Sequence, residues 1–469
     1  MRRILLGVSF VFALATLAWA LRWVVTASGI GAGFAAKVTC SLVHLSGQDA
    51  ADAVARYVNH EISPLGGALV VEISPEGAEA RVAGGLIRAR AVLRSGMGCI
   101  LVPADAADPL PLPATLDLPR PVLDPRLPWP RGGAGPEESP VAVGAAIDRA
   151  FQEPGGAGLR QTKAVVVAQD GRLVAERYAP GYGPETKMLS WSMGKSVLMA
   201  LVGVLVGEGR LAVDAPAAVP EWQKAGDPRA AITLDQLLRQ SSGLAFDETY
   251  GATNDVSRML YAHADTGAFA AKSRLVAEPD TQWAYSSGTS NIVARIVRDV
   301  FGGDIAAMAG FANASLFDPA DMTSAFFEPD ASGTFVGSSY AYMNARDWAR
   351  FGELFRRDGE WYGRRILPEG WVRYAITPTP AAPEGRYGAH WWLNAGTLGS
   401  PEDRPWPAIP PEVFAARGHS GQWVVVVPSA RLVVVRLGLT VPDLESHDGT
   451  ETLVADLLQA LADPSAKTP

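Results

Sequence analysis

Eleven prolines fall within one short stretch: Pro103, Pro109, Pro111, Pro113, Pro119, Pro121, Pro125, Pro128, Pro130, Pro136 and Pro140. Proline has no N–H to give a sheet ladder and holds φ fixed, so such a segment is excluded from a central sheet and runs extended. The chain must therefore fold as units on either side of a spacer. At 469 residues it is also too long for one small domain. The division read from the sequence is residues 1–34 as a signal anchor or transmembrane segment, 35–103 as a small α+β region, 104–140 as a Pro-rich linker, and 141–469 as a compact enzyme-like domain.

The first segment addresses the compartment. Met1-Arg2-Arg3 is a basic start, and residues 4–21 then run without a charge. That length lies between a long signal-peptide core and a short membrane helix. Ala18-Trp19-Ala20 has the form of a cleavage site, but apolar residues resume after Arg22 with Trp23-Val24-Val25, which favours an uncleaved anchor. The leading arginines set the N-terminus in the cytoplasm and the remainder outside it. The expectation is a bacterial inner-membrane protein with its catalytic domain in the periplasm; the alternative is a cleaved signal and a periplasmic or secreted chain. Lys37, three residues before Cys40, argues against a lipoprotein.

Cys40 and Cys99 bracket the small region. They form no CxxC pair and no His cluster is near them, so neither a zinc site nor any other metal site is expected. In an oxidising compartment they read as a disulfide, and otherwise as two buried thiols. Within the brackets, residues 48–59 have helical spacing, while residues 68–73 and 86–92 read as strands. A net charge of −8 with no run of Lys and Arg argues against a nucleic-acid partner.

Beyond the linker, residues 141–151 read as a helix. Residues 164–168 and 173–176 form a hairpin around Asp170-Gly171, residues 192–207 a helix, 423–427 and 432–437 a second hairpin, and 450–461 a closing helix. Strands at both ends with helices between them predict an antiparallel sheet flanked by terminal helices, plus a helical lobe.

Three patterns carry chemistry. In Ser190-Trp191-Ser192-Met193-Gly194-Lys195-Ser196, Ser192 opens a helix and Lys195 lies on the same side three positions on. The helix dipole favours negative charge on the hydroxyl, and a desolvated ammonium beside it can become a base. Alone, the pattern is short and more often an ordinary helix cap. It is not a phosphate-binding loop, because Leu189 stands where the first glycine is needed, and no G-x-S-x-G elbow occurs. The second pattern is Trp283-Ala284-Tyr285-Ser286-Ser287, a polar loop before a helix; a phenol needs a neighbouring cation to act as a base. The third is Arg417-Gly418-His419-Ser420-Gly421-Gln422 opening a Val-rich strand, where small residues let a substrate pair with the edge. The amide of Gln422 is one candidate oxyanion donor, with Ser420 or Gly421 as the runner-up, and His419 is placed to hold a carboxylate or tune its neighbours.

Ser-x-x-Lys, Tyr-Ser-Ser and His-Ser-Gly in this order and spacing resemble the three motifs of class C β-lactamases, DD-peptidases and related esterases. Leu237-Leu238-Arg239-Gln240-Ser241-Ser242-Gly243-Leu244 is similar to a further element of that family. Tyr387-Gly388, Trp391-Trp392 and residues 414–419 resemble the branch of aminohexanoate-dimer hydrolases. The resemblance covers about residues 140–464. It implies an α+β, β-lactamase/transpeptidase-like fold and a serine hydrolase with no cofactor. Ser192 would form an acyl-enzyme, Lys195 and Tyr285 would share the proton transfers, and the amides of Ser192 and Gln422 would form the oxyanion hole. The partner is then a small ester or amide. Two departures from the class C pattern, Ser287 for Asn and His419 for Lys, disfavour efficient penicillin hydrolysis. The rivals are a DD-peptidase or weak β-lactamase and a catalytically silent binder of the same fold. Residues 245–261 are expected to overhang the pocket, with Tyr250, Trp283 and Ser287 as candidate substrate contacts.

Overall fold

The computed structural model describes residues 2–136, 139–154, 160–441 and 448–462; Met1 of the basic start and the residues after 462 lie outside it. The Val-rich hairpins are the centre of the molecule. A six-stranded antiparallel sheet runs in the order Trp392–Leu393, Phe414–Gly418, Gln422–Val427, Leu432–Gly438, Thr162–Gln169, Arg172–Tyr178. Both faces of its middle strands are buried. On one face Val165, Val167, Val425 and Val434 pack with Val143 and Ile147 of the Val141–Phe151 helix and with Leu453, Val454 and Leu457 of Thr450–Ala462. On the other, Val424 and Val433 face the Ala345–Arg356 helix so closely that a Cβ on Gly352 would lie 2.8 and 2.6 Å from them. Two buried faces are why these strands read as unbroken valine runs rather than alternating ones. Asp170 and Gly171 turn the first hairpin with φ of 54° and 74°, as a tight hairpin with the twist of its strands requires. The helical lobe lies between the hairpins in sequence. Its core is Ser287–Val300, packed on Leu234–Leu238 and Thr266–Ala271.

The N-terminal helix, Arg2–His44, is continuous across residue 34. Its Phe12–His44 part is long and apolar enough to cross a membrane. Its two halves differ: Phe12, Leu17, Trp19, Leu21 and Trp23 are exposed, whereas Ile30, Ala32, Ala35, Ala36, Val38 and Cys40 are buried. Residues 4–26 rise about 35 Å, enough for a bilayer's hydrocarbon core. The buried half packs on a four-stranded antiparallel sheet, Leu69–Ser74, Gly77–Val82, Ile87–Arg94 and Gly98–Val102. The sequence reading anticipates the first and third of these strands and leaves out the second and the short fourth, GCILV. The second, GAEARV, turns small alanines inward to let the helix approach.

Cys40 and Cys99 form a disulfide between this helix and the last strand of the sheet. It closes a loop of 59 residues, for which chain entropy gives at most about 4 kcal/mol. The Cys40→Ser, Cys99→Ser double variant is expected to show a lowered thermal midpoint that reducing agent lowers no further; an unchanged midpoint would show that packing alone holds the helix.

The N-terminal unit is locked onto the domain that follows the Pro-rich stretch. Lys37 forms a buried ion pair with Glu328, which also accepts from Ser41 Oγ (3.0 Å) and the Cys99 amide (2.6 Å). Residues 104–136 wrap on the domain. Arg120 binds Asp318 (2.7 Å), and Arg350 donates to the carbonyls of Pro130 (2.8 Å) and Gly132 (2.7 Å).

Candidate active site

Ser192 precedes the Met193–Gly207 helix and is half-buried. The turn that presents it is strained, since Trp191 has φ of +44°, a left-handed conformation costly for a bulky residue. The surroundings over-determine it. Ser190 Oγ donates to the Ser339 carbonyl (3.0 Å) and accepts from the Ala341 amide (3.1 Å). The buried Trp191 ring is stacked with Phe34 at 6.4 Å and meets the edge of His419 at 5.4 Å. Its Nε1 donates to the Tyr57 hydroxyl (3.0 Å). Phe34 and Tyr57 both come from the N-terminal unit.

Lys195 is one helical turn on and buried. Its Nζ lies 3.1 Å from Ser192 Oγ, 3.0 Å from Ser287 Oγ and 3.2 Å from the Ser338 carbonyl. It also stands 4.7 Å above the centre of the Tyr285 ring. Desolvation brings the Lys195 pKa down to about 8, against the opposing pull of the Glu248 charge. The three motif residues Ser192, Lys195 and Tyr285 are thus together, with Ser287 beside them.

Glu248 completes this cluster, and sequence reasoning missed it. Its carboxylate accepts from the Ser287 amide (2.7 Å) and from Ser287 Oγ (2.5 Å). Desolvation pushes its pKa up, and the nearby Lys195 pulls it back. The only signal was its place in the segment expected to overhang the pocket. His390 braces the same helix from behind, with Nδ1 3.1 Å from the Lys195 carbonyl and Nε2 3.1 Å from Ser290 Oγ. Burial first, and then Lys195, lowers its pKa to about 3, so it is neutral at physiological pH. Gln240, from the Leu237-to-Leu244 element, fixes the Tyr-Ser-Ser loop by accepting from the Ser286 amide (2.9 Å) and Thr289 Oγ1 (2.7 Å). Tyr285 and Trp283 join an aromatic wall with Tyr387 and Trp392; the Tyr285 and Trp392 rings are 5.2 Å apart. Trp392, Arg417 and Trp423 line an adjoining cavity of about 320 Å³.

The third motif lies against the Ser192 turn because residue 418 is glycine: a Cβ there would come within 2.1 Å of the Ser190 carbonyl. Gly418 pairs with Gln422 across a turn in which Ser420 and Gly421 have φ of 59° and 75°. The Gln422 side chain braces the turn, bonding the carbonyls of Gly438 and Ser420.

His419 and Ser420 face the N-terminal unit. His419 Nε2 is 2.9 Å from Glu61 Oε2, and Ser420 Oγ is 2.9 Å from the Tyr57 hydroxyl and 3.4 Å from Glu61 Oε1. Burial, then the Glu61 charge, holds the Tyr57 pKa well above the usual phenol value. Tyr57 therefore keeps its proton, accepts from Trp191 and shares a hydrogen bond with the Ser420 hydroxyl. Tyr57 and Glu61 are four residues apart, on one face of a helical stretch. Tyr250 covers the other side of His419, with the rings stacked 5.4 Å apart. No spacing rule links Tyr57 and Glu61 to a motif more than 350 residues later.

Antiparallel sheet, helical lobe and a Ser-Lys pair at their junction agree with the profile of the Beta-lactamase family, which matches residues 147–459. The chain belongs to the beta-lactamase family. Among curated members it is similar to 6-aminohexanoate-dimer hydrolase of Paenarthrobacter ureafaciens, 28% identical over 326 residues, which cover 64% of this chain and 79% of that one. Among solved structures, a penicillin-binding protein homologue from Caulobacter crescentus shares the fold at a TM-score of 0.53 and 17% identity, over 70% of this chain and 99% of that one. EstCE1, a hydrolase with promiscuous acyltransferase activity, does so at 0.54 and 16%, over 67% and 97%. The beta-lactamase match contains Ser192, Lys195, Glu248, Tyr285, His419 and Gln422. Phe34, Tyr57 and Glu61, which pack on that site, precede it.

Proposed function

We propose that this member of the beta-lactamase family is a serine hydrolase that cleaves ester or amide bonds of small substrates through an acyl-enzyme on Ser192. The observation that carries the reading is the buried Lys195 ammonium, 3.1 Å from Ser192 Oγ and with its pKa lowered to about 8. In the neutral form it takes the Ser192 proton as Oγ bonds to the substrate carbonyl carbon. The amides of Ser192 and Gln422 hold the oxyanion. Collapse breaks the bond to the leaving alcohol or amine, which receives the proton through Lys195 and Tyr285. Water, deprotonated by the same pair, then releases the acid and restores Ser192. Glu248 is a positioning residue, acting on Lys195 through Ser287. The exposed apolar half of the N-terminal helix, the leading arginines and the Cys40–Cys99 disulfide support an anchor in a bacterial inner membrane with the catalytic domain in the periplasm.

Intact-mass spectrometry after fluorophosphonate treatment tests the reading. A single adduct on the parent and none on Ser192→Ala is the expected result. A folded parent without an adduct would favour the silent binder.

Glu61 bears on which substrates fit. Its carboxylate already occupies His419 and Ser420, on the strand edge where a substrate carboxylate would be held. A second negative charge there is repelled, which supports an esterase or amidase over a penicillin-directed enzyme. Glu61→Gln is expected to raise the second-order rate of acylation by benzylpenicillin about tenfold relative to that by a neutral ester. An unchanged ratio would remove Glu61 from specificity.

A further inference from the structure

A cavity of about 310 Å³ lies between residues 23–34 of the N-terminal helix, the turn after Glu61, and the segment 250–261 of the helical lobe. Its apolar wall includes Trp23, Ala27, Phe34, Leu65 and Tyr261. Its size is within the range of small-molecule sites. Two relationships give it meaning. Along the helix, the wall reaches the exposed residues Trp23 and Val24, which are 46% and 49% exposed and follow the apolar run across Arg22. Towards the proposed catalytic centre, its lining residues Glu61 and Tyr250 both touch His419, and Phe34 is stacked on Trp191, next to Ser192. The cavity thus lies between the part of the chain that a bilayer would cover and the residues, Phe34, Glu61 and Tyr250, that pack on Trp191 and His419 beside the proposed nucleophile. Glu61, its charged lining group, is already engaged by His419, so what the cavity offers an occupant is chiefly apolar surface.

We infer that the substrate is an amphiphile drawn from the membrane: its ester or amide carbonyl reaches Ser192, and its alkyl chain lies in this cavity along the anchor helix. The inference rests on the serine-hydrolase and anchor readings and adds the substrate class. The N-terminal helix is then one wall of the substrate site as well as a tether. A methylene moved from water into an apolar site gains about fourfold in affinity, so chain length is the variable to read.

The test uses the full chain in phospholipid nanodiscs and follows labelling of Ser192 by two alkyl fluorophosphonates, one ethyl and one dodecyl. The expected result is dodecyl labelling at least about tenfold faster. The variants Ala252→Trp and Ser28→Phe fill the cavity from opposite walls and are expected to cut the dodecyl-to-ethyl ratio at least about fivefold. The ratio cancels any general loss of reactivity in a variant, and a partitioning advantage from the bilayer is common to all three proteins. A dodecyl advantage that persists unchanged in both variants belongs to the bilayer alone and overturns the cavity's role. Equal rates in the parent overturn it too. Failure of both probes to label Ser192 instead overturns the serine-hydrolase reading itself.

Discussion

Ser192→Ala is expected to lower kcat for a short ester by at least about 10⁴-fold, and Lys195→Ala by about 10³-fold. The double variant should be no slower than Ser192→Ala alone. The physical reason is that Lys195 acts only through Ser192: its Nζ is bonded to Oγ at 3.1 Å, and without the hydroxyl there is no proton for it to take. A general base contributes roughly 10²–10⁴ to such a step, and covalent catalysis is lost altogether with the nucleophile. KM should change little in either variant, since neither group accounts for ground-state binding of the rest of the substrate. Steady-state kinetics of the three variants beside the parent check this. Additive losses would mean that the two groups act on different steps and that the Ser-Lys pair is not the catalytic unit.

Glu248→Gln should move the pH profile towards acid. Lys195 is productive as a base only when neutral. Burial lowers its pKa from 10.5 to about 8, so kcat/KM is expected to rise with pH and level off above about 8. The Glu248 charge works against burial by favouring the ammonium. Removing that charge while keeping an amide near Ser287 lets the Lys195 pKa fall further, and the rising limb should shift down by about one unit. At pH 6.5 the variant would then outpace its own expectation from the parent profile by several-fold, even if its plateau is lower. A rising limb that stays in place would show that the Glu248 charge does not act on the titrating base. A merely structural effect of Glu248 would lower the plateau and leave the limb where it is, so the profile separates the two.

Much of the site is legible in sequence because it obeys short-range geometry. Lys195 is three residues from Ser192 on a helix, and no tertiary contact is needed to bring them to one face. The Val-rich hairpins announce a sheet buried on both sides, and the Asp170-Gly171 turn marks the register of one of them. The two cysteines, in no CxxC pair and with no histidine cluster near them, suggest the bridge that the fold makes. The spacing of the three motifs is a property of the whole domain, so it is recognisable without knowing where each residue lies.

Other features have no local signature. Glu248 is an acidic residue in a loop, like many others, until the lobe folds it onto Ser287. The strand Gly77–Val82 hides because alanine, chosen for close approach of the helix, carries little apolar signal. The strain at Trp191 is invisible in a string of letters, since it follows from where Ser190, Tyr57 and Phe34 anchor the turn. Above all, nothing in the order of residues tells that Tyr57 and Glu61 sit on His419 and Ser420, or that the helix beginning as an apolar N-terminal segment ends as a wall beside the proposed nucleophile. By itself the sequence determined the fold family through the order of its motifs, and the Ser-Lys pair and the apolar N-terminal segment through spacing along one element. Only the tertiary structure decided that the N-terminal unit packs on the turn before Ser192, because that depends on contacts between segments more than a hundred residues apart.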